Sequence, residues 1–163
     1  MMTSIVAKQA SETVTRRLAV HDEVVAHVVG DPEGLHFCFL PGGHLHALRF
    51  GEELLVNLLL GCPLAGALQR LYVELQRPGS TQVVAVIGPE SAGRFRADRS
   101  SAEWLVEEGD VTVRAGLGVD SANRRWRLKV SIAHDDDNAL QARVLHGIDV
   151  GLASLGAALN NDA

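Results

Sequence analysis

Cysteine is almost absent from this chain, which has only Cys38 and Cys62 among its 163 residues. Two cysteines cannot supply the several disulfides on which small secreted domains depend, so a disulfide scaffold is excluded. Cysteines outside a disulfide scaffold are free thiols, and these are typical of the cytoplasm, where thiols stay reduced. We therefore expect a cytoplasmic protein.

A long apolar run and a basic start are lacking as well. No stretch reaches the roughly 18 apolar residues that a membrane-spanning helix needs. Residues 1–8 contain no basic segment followed by a sustained apolar one, so no signal peptide is predicted. The formal net charge is −5, which argues against nucleic acid or an anionic membrane as the main partner.

Aromatic residues are scarce, at 4% of the chain. This content is too low for an exposed platform of several rings that could stack on sugars. Trp126 lies in the apolar row of a predicted strand, and we expect it in the core. Trp104 is kept as a single candidate for a sugar contact.

The sequence does have strand-like alternation of apolar and polar residues. The clearest case joins residues 111–119 to residues 126–132 through a turn at Asp120–Asn123 and predicts an antiparallel hairpin with one buried face. Residues 91–101, rich in serine, glycine and arginine, are predicted to be a surface connection. Further strands are predicted at 12–20, 24–29, 35–40, 44–50, 82–87 and 140–148.

Short strands about ten residues apart, joined by Gly, Pro, Asn and Asp turns, are typical of an all-β sandwich or barrel. The predicted fold class is therefore all-β, an antiparallel β-sandwich. Residues 1–11 are predicted to be a loose leader, and residues 12–163 a single β-sandwich domain.

One group of residues could bind a metal. His36 and Cys38 share one face of a strand, His44 and His46 share one face of the next, and Pro41–Gly43 joins the two strands. His and Cys are zinc ligands, so a cupin-like metal-binding protein is an alternative interpretation. A hydrogen-bonded histidine face on a hairpin is the more common outcome for such a pattern.

Acidic residues cluster in turns, at Glu107–Asp110 and Asp135–Asp137. Glycosidic chemistry needs two carboxyl groups that face each other across a substrate, whereas these are sequence neighbours. No catalytic residue is predicted.

A series of short motifs follows residue 42 in a fixed order, and it resembles the N-terminal β-sandwich region of glycoside phosphorylases related to cellobiose phosphorylase and cyclic β-1,2-glucan synthase. Gly147 and Asp162 depart from the family pattern, which has Gln and Glu there. The matching residues are Leu48–Glu52, Leu55, Asn57, Leu58, Gly61, Pro63, Leu64, Gly66, Leu71–Val73, Val86–Ser91, Trp104–Val106, Trp126–Val130, His146–Ala153 and Asn160–Asp162.

The resemblance implies a galactose-mutarotase-like supersandwich that is incomplete in this chain. In the family an (α/α)6 barrel follows, which carries the catalytic acid and the site for inorganic phosphate, the co-substrate. The resemblance thus implies a non-catalytic N-terminal domain of a carbohydrate-active enzyme, of glycoside phosphorylase or glycosyltransferase type, whose partner is a β-glucan or other oligosaccharide. It implies no other cofactor.

The loops at Asp149 and at Asn160, Asn161 and Asp162 are the predicted sugar-binding positions, together with Trp104. A stand-alone carbohydrate-binding or interaction β-domain is the main alternative. Because an incomplete sandwich leaves strand edges unpaired, that alternative predicts a homodimer.

Overall fold

The structure, a computed structural model, describes residues 25–54, 68–135 and 139–148. The predicted leader and the predicted strand at 12–20 lie outside these ranges. The described strands are β1 His27–Gly30, β2 Leu35–Phe39, β3 Leu45–Phe50, β4 Glu53–Leu54, β5 Gln69–Arg77, β6 Ser80–Ile87, β7 Arg94–Ala97, β8 Ser101–Glu108, β9 Val111–Asp120, β10 Arg125–His134 and β11 Gln141–Ile148. None of the described residues forms a helix of the length and apolarity that a membrane crossing requires.

The strands form three antiparallel sheets. Sheet I has the order β1-β2-β3-β4, sheet II has β10-β9-β8-β7, and sheet III has β11-β5-β6. The prediction of an all-β, antiparallel sandwich is confirmed. The predicted hairpin is β9–β10, which pairs without a register shift from Arg125 opposite Asp120 to His134 opposite Val111.

One apolar cluster joins the three sheets. Strand β9 shows how it is built, because its odd-numbered residues from Val111 to Leu117 are buried while the residues between them face outward. Sheet I contributes Phe37 and Phe39 to the same cluster, and sheet III contributes Leu71 and Val73. Each of these large side chains stabilises the fold by about 2 kcal/mol through burial.

The turn between β2 and β3 is held against sheet II. Gly43 has a φ of +77°, in the left-handed region that favours glycine. A Cβ atom on Gly43 would lie 2.5 Å from the ring of Phe95 and 2.7 Å from Nε1 of Trp104. The indole N–H of Trp104 donates a hydrogen bond to the Gly43 carbonyl at 3.1 Å. The turn therefore needs glycine for its backbone and for its close packing.

The prediction of a surface connection at 91–101 is wrong in part, because β7 lies within it. Asp98 organises the β7–β8 turn, where its Oδ1 accepts hydrogen bonds from the backbone N–H groups of Ser100 and Ser101 at 2.8 Å each. The turn pairs Phe95 with Trp104 across the hairpin. High serine and arginine content predicts a surface connection, so the short strand β7, with its one inward aromatic ring, was not predicted.

Candidate functional site

Trp104, the predicted sugar contact on β8, is in the core. Its side chain is only 3% exposed, and it packs against Phe39 and Phe95 with ring centroids 5.5 and 5.2 Å away. A ring that stacks on a sugar must present a face to solvent, so this geometry gives Trp104 no such contact. Its indole N–H already donates a hydrogen bond to the carbonyl oxygen of Gly43.

The four candidate metal ligands do not come together. His36 and Cys38 are buried on β2, and Nδ1 of His36 donates to the carbonyl oxygen of Gly34 at 3.0 Å. A register shift between Cys38 and Phe39 disrupts the β2–β3 pairing, which leaves His46 out of step with Cys38, while His44 lies in the turn. No group of three or more His, Cys, Asp or Glu residues suited to a metal occurs in the described ranges. The described residues give the cupin-like interpretation no support, and it stays a prediction.

The other predicted sugar-binding residues, Asp149, Asn160, Asn161 and Asp162, lie outside the described residues. Their assignment stays a prediction.

Trp126, which the sequence pattern places in the core, has 39% of its surface exposed. It is the second residue of β10, directly after the turn that joins β9 to β10, and it sits where the three sheets meet. Its ring meets Phe37 of sheet I edge-on at 5.8 Å and His146 of sheet III at 6.5 Å. The core thus supports Trp126 from one side and leaves the other side open.

A polar pair lies next to this ring. The amide Nε2 of Gln69 donates to Nε2 of His146 at 3.1 Å, so that ring nitrogen must be unprotonated. Partial burial lowers the pKa of His146 below its ordinary value of 6.5, although the side chain keeps an exposed edge, and this favours the neutral form. The Gln69 side chain is fully buried, and its Oε1 has no hydrogen-bond partner in the part of the chain that the structure describes.

We call Trp126, His146 and Gln69 the Trp126 site. It combines an exposed aromatic face with a neutral imidazole. It also contains a buried amide oxygen whose capacity to accept a hydrogen bond is unused among the described residues. A buried carbonyl without a partner costs roughly 1–3 kcal/mol, which a hydroxyl group placed there would offset. The site therefore suits a small ring compound that carries hydroxyl groups.

Sequence reasoning missed this site because the alternation of β10 places Trp126 in an inward row. A signal was nevertheless present: Gln69 and His146 interrupt the inward rows of β5 and β11, where they lie beside Ile148 and Leu71 in the pairing. Polar residues at inward positions are uncommon and mark sites that need partners.

Two open hollows elsewhere have polar walls that are already paired. The first, of about 380 Å³, lies on sheet II, where Arg96 and Glu103 form an ion pair at 2.7 Å. The second, of about 370 Å³, lies between sheets II and III, where Gln82 donates to Glu108 at 3.2 Å. Because these groups bind one another, the Trp126 site is the stronger candidate.

Comparison with known proteins gives one family. The family model described as the SOGP N-terminal domain matches residues 38–163, and no curated protein matches the chain. This match corrects the resemblance drawn from the motifs, because the family found is the SOGP N-terminal domain and not a glycoside phosphorylase domain. It covers all three residues of the Trp126 site.

Proposed function

The chain belongs to the SOGP N-terminal domain family, and on this premise we propose that it is a non-catalytic β-sandwich domain of a carbohydrate-active protein. In this proposal the Trp126 site contacts a sugar. The family description, an N-terminal domain, supports an auxiliary role ahead of further chain. The predictions of a catalytic barrel and of a phosphate co-substrate rested on the resemblance to glycoside phosphorylases, which the family match corrects. Neither is part of the proposal.

The observation that carries the proposal is that Oε1 of the buried Gln69 has no hydrogen-bond partner among the described residues. Its side chain bonds to His146, which contacts the partly exposed ring of Trp126. Sugar rings have an apolar C–H face and a rim of hydroxyl groups. The apolar face packs on an aromatic ring, while a rim hydroxyl donates to an amide oxygen. In the proposal the apolar face packs on the exposed part of the Trp126 ring, and a rim hydroxyl enters between the sheets to reach the Gln69 oxygen, which is buried.

A non-catalytic role is supported by the acidic side chains of the described residues. Asp98, Asp110 and Asp120 have lowered pKa values, caused first by hydrogen bonds from the Ser100 backbone, the Arg77 side chain and the Asn123 side chain, respectively. A general acid needs a raised pKa and a place in a cleft. These carboxylates instead stabilise turns and strand ends.

Oligosaccharide titration followed by tryptophan fluorescence tests the proposal. The probes are short β-linked gluco-oligosaccharides, with a maltose oligomer as the comparison. Because Trp126 is exposed and Trp104 is buried, we expect sugar to shift the emission and to protect it from acrylamide quenching. Trp104→Phe keeps this response, since Trp126 remains.

Two variants decide the assignment. Trp126→Ala removes the aromatic face, and we expect affinity to fall at least about tenfold, the effect of losing about 1.4 kcal/mol. Gln69→Leu keeps the side-chain volume but removes the amide oxygen, and we expect the affinity for the oligosaccharide to fall in this variant too. If every oligosaccharide fails to bind the wild-type chain, or if Trp126→Ala binds as well as the wild type, the proposed sugar contact is rejected.

A further inference from the structure

Strand β10 is an outermost strand of sheet II in the part of the chain that the structure describes. Its ten residues pair with β9 on one side, and no strand among the described residues pairs with the other side. At about 3.3 Å per residue, the bare edge is roughly 33 Å long. A long edge without a partner is a template for an added strand.

A bulge, one of the devices that protect an edge, is missing here, whereas charged side chains, another such device, are present on β10. The pairing with β9 has no register shift, so no bulge twists the edge away. The inward row consists of Trp126, Leu128, Val130 and Ile132, followed by His134 at the end of the strand. Leu128, Val130 and Ile132 are only partly buried, although they pack against the core.

The outward row of β10 is cationic. It contains Arg125, Arg127 and Lys129, and Arg125 lies opposite the acid Asp120 of β9. Arg127 and Lys129 form no ion pair with any described residue.

The surface beside these two cations is open. Gly118 and Gly116 lie opposite Arg127 and Lys129, and a Cβ atom on either glycine would meet nothing within 4 Å. The chain as a whole is acidic, at −5. Arg127 and Lys129 therefore give this edge a local positive charge, opposite in sign to the net charge of the chain.

We propose that β10 is a docking edge for an extended acidic segment of another polypeptide. The segment adds to sheet II as a strand and pairs with the free backbone groups of β10. Its carboxylates lie opposite Arg127 and Lys129 across the outer face, and its alternate apolar side chains extend the row formed by Leu128, Val130 and Ile132. Opposite charges in directly opposed positions stabilise a strand pair.

A second copy of the chain that pairs about the centre of the cationic segment is a poor occupant of this edge. Antiparallel pairing of β10 with its own copy, centred on Arg127, would place Arg127 opposite its equivalent and Arg125 opposite Lys129. Like charges in opposed positions are destabilising. The same cations that discourage self-pairing thus select an acidic strand.

A synthetic peptide tests the proposal. The probe is a fluorescent peptide of about ten residues that alternates glutamate with valine, matched to the length of β10, and its binding to the full chain is followed by anisotropy. Two control peptides have lysine in place of glutamate, or N-methyl groups on alternate residues. We expect only the unmodified acidic peptide to bind, with an affinity that falls as salt is added.

The matched protein variants change the charge by equal amounts. Arg127→Glu with Lys129→Glu reverses the cations on β10, and we expect binding to weaken at least about tenfold. Arg70→Glu with Arg94→Glu reverses two exposed cations elsewhere, and we expect less than about a twofold change. Circular dichroism checks that both variants are folded.

Five results would overturn the proposal. The acidic peptide fails to bind at low salt, or the N-methylated peptide binds equally well, which would indicate charge attraction without strand pairing. Alternatively, the lysine peptide binds equally well, or the β10 reversal leaves binding unchanged. A dimer of the chain that is lost on the β10 reversal would assign the edge to a second copy instead.

Discussion

Gly43 lies in a turn where the backbone conformation and the neighbouring rings both require glycine. Its φ is +77°, and a Cβ atom there would approach the Phe95 ring to 2.5 Å. Gly79 provides a control because its φ is +80° and a Cβ atom there would meet nothing within 4 Å. The pair separates the cost of the backbone conformation from the cost of crowding.

Alanine substitution at both glycines measures these two costs. We expect Gly79→Ala to lower the free energy of unfolding by about 1 kcal/mol, from the positive φ alone. Gly43→Ala should lower it by about 3 kcal/mol, because Phe95 and Trp104 must also move. Urea unfolding gives both values, and equal losses would show that the rings around Gly43 yield without cost.

The two tryptophans also belong to the residue scale. Both lie in inward rows of sheet II, yet Trp104 is buried and Trp126 is 39% exposed. Trp104 sits on an inner strand of the sheet, between β7 and β9, whereas Trp126 sits on the outermost strand. Alternation determines the face on which a side chain lies, but the position of its strand in the sheet determines how much neighbours cover it.

At the scale of elements, β11 carries a histidine in its inward row. His146 faces the core side of sheet III, accepts a hydrogen bond from Gln69 and has a lowered pKa caused by partial burial. The unfolded chain therefore binds a proton more readily than the folded chain below pH 6.5. Stability from this group is complete above that value and is lost as the pH falls through the lowered pKa.

A pH series of thermal unfolding checks this linkage. Between about pH 7.5 and about pH 5.5 we expect the melting temperature of the wild type to fall, and we expect His146→Gln to show a smaller fall. Leu145→Gln is the matched control on the same strand, because it adds an amide without removing a titrating group. If His146→Gln keeps the full pH dependence, His146 is not its source.

At the scale of the whole molecule, two of the outermost strands, β10 of sheet II and β11 of sheet III, each have one partner strand among the described residues. They lie on the same side of the sandwich, since Trp126 of β10 contacts His146 of β11. The two edges differ in charge. The outward row of β10 is cationic, whereas that of β11 includes Leu145, which is 47% exposed, and Arg143, which is near Glu74 at 3.8 Å.

The homodimer predicted from the sequence stays a prediction, and β11 is its most favourable location. Antiparallel pairing centred on Leu145 would bring two leucines together without opposing like charges. We expect sedimentation to give an average mass that rises with concentration, and we expect Leu145→Lys to weaken association about tenfold. Val28→Lys, on the edge of sheet I, controls for added charge. A monomer at all concentrations would exclude this dimer.

The site was less predictable than the fold. Each strand carries its own signals, as in the alternation of β9 and the turn residues around it, and these depend on neighbours close in sequence. The Trp126 site instead joins residues from β5, β10 and β11, with Gln69 and His146 separated by 77 positions. No local pattern specifies such a meeting.

The sequence by itself determined that this chain forms short antiparallel strands and that β9 and β10 form a hairpin, because strand alternation and turn chemistry are local properties. Tertiary structure alone decided which aromatic ring is buried, where the pairing of β2 with β3 shifts register, and which of the described strands are outermost in their sheets. These outcomes depend on strand order and register. A single register shift between β2 and β3, or one outermost position in a sheet, changes the surroundings of a side chain without altering its sequence neighbours.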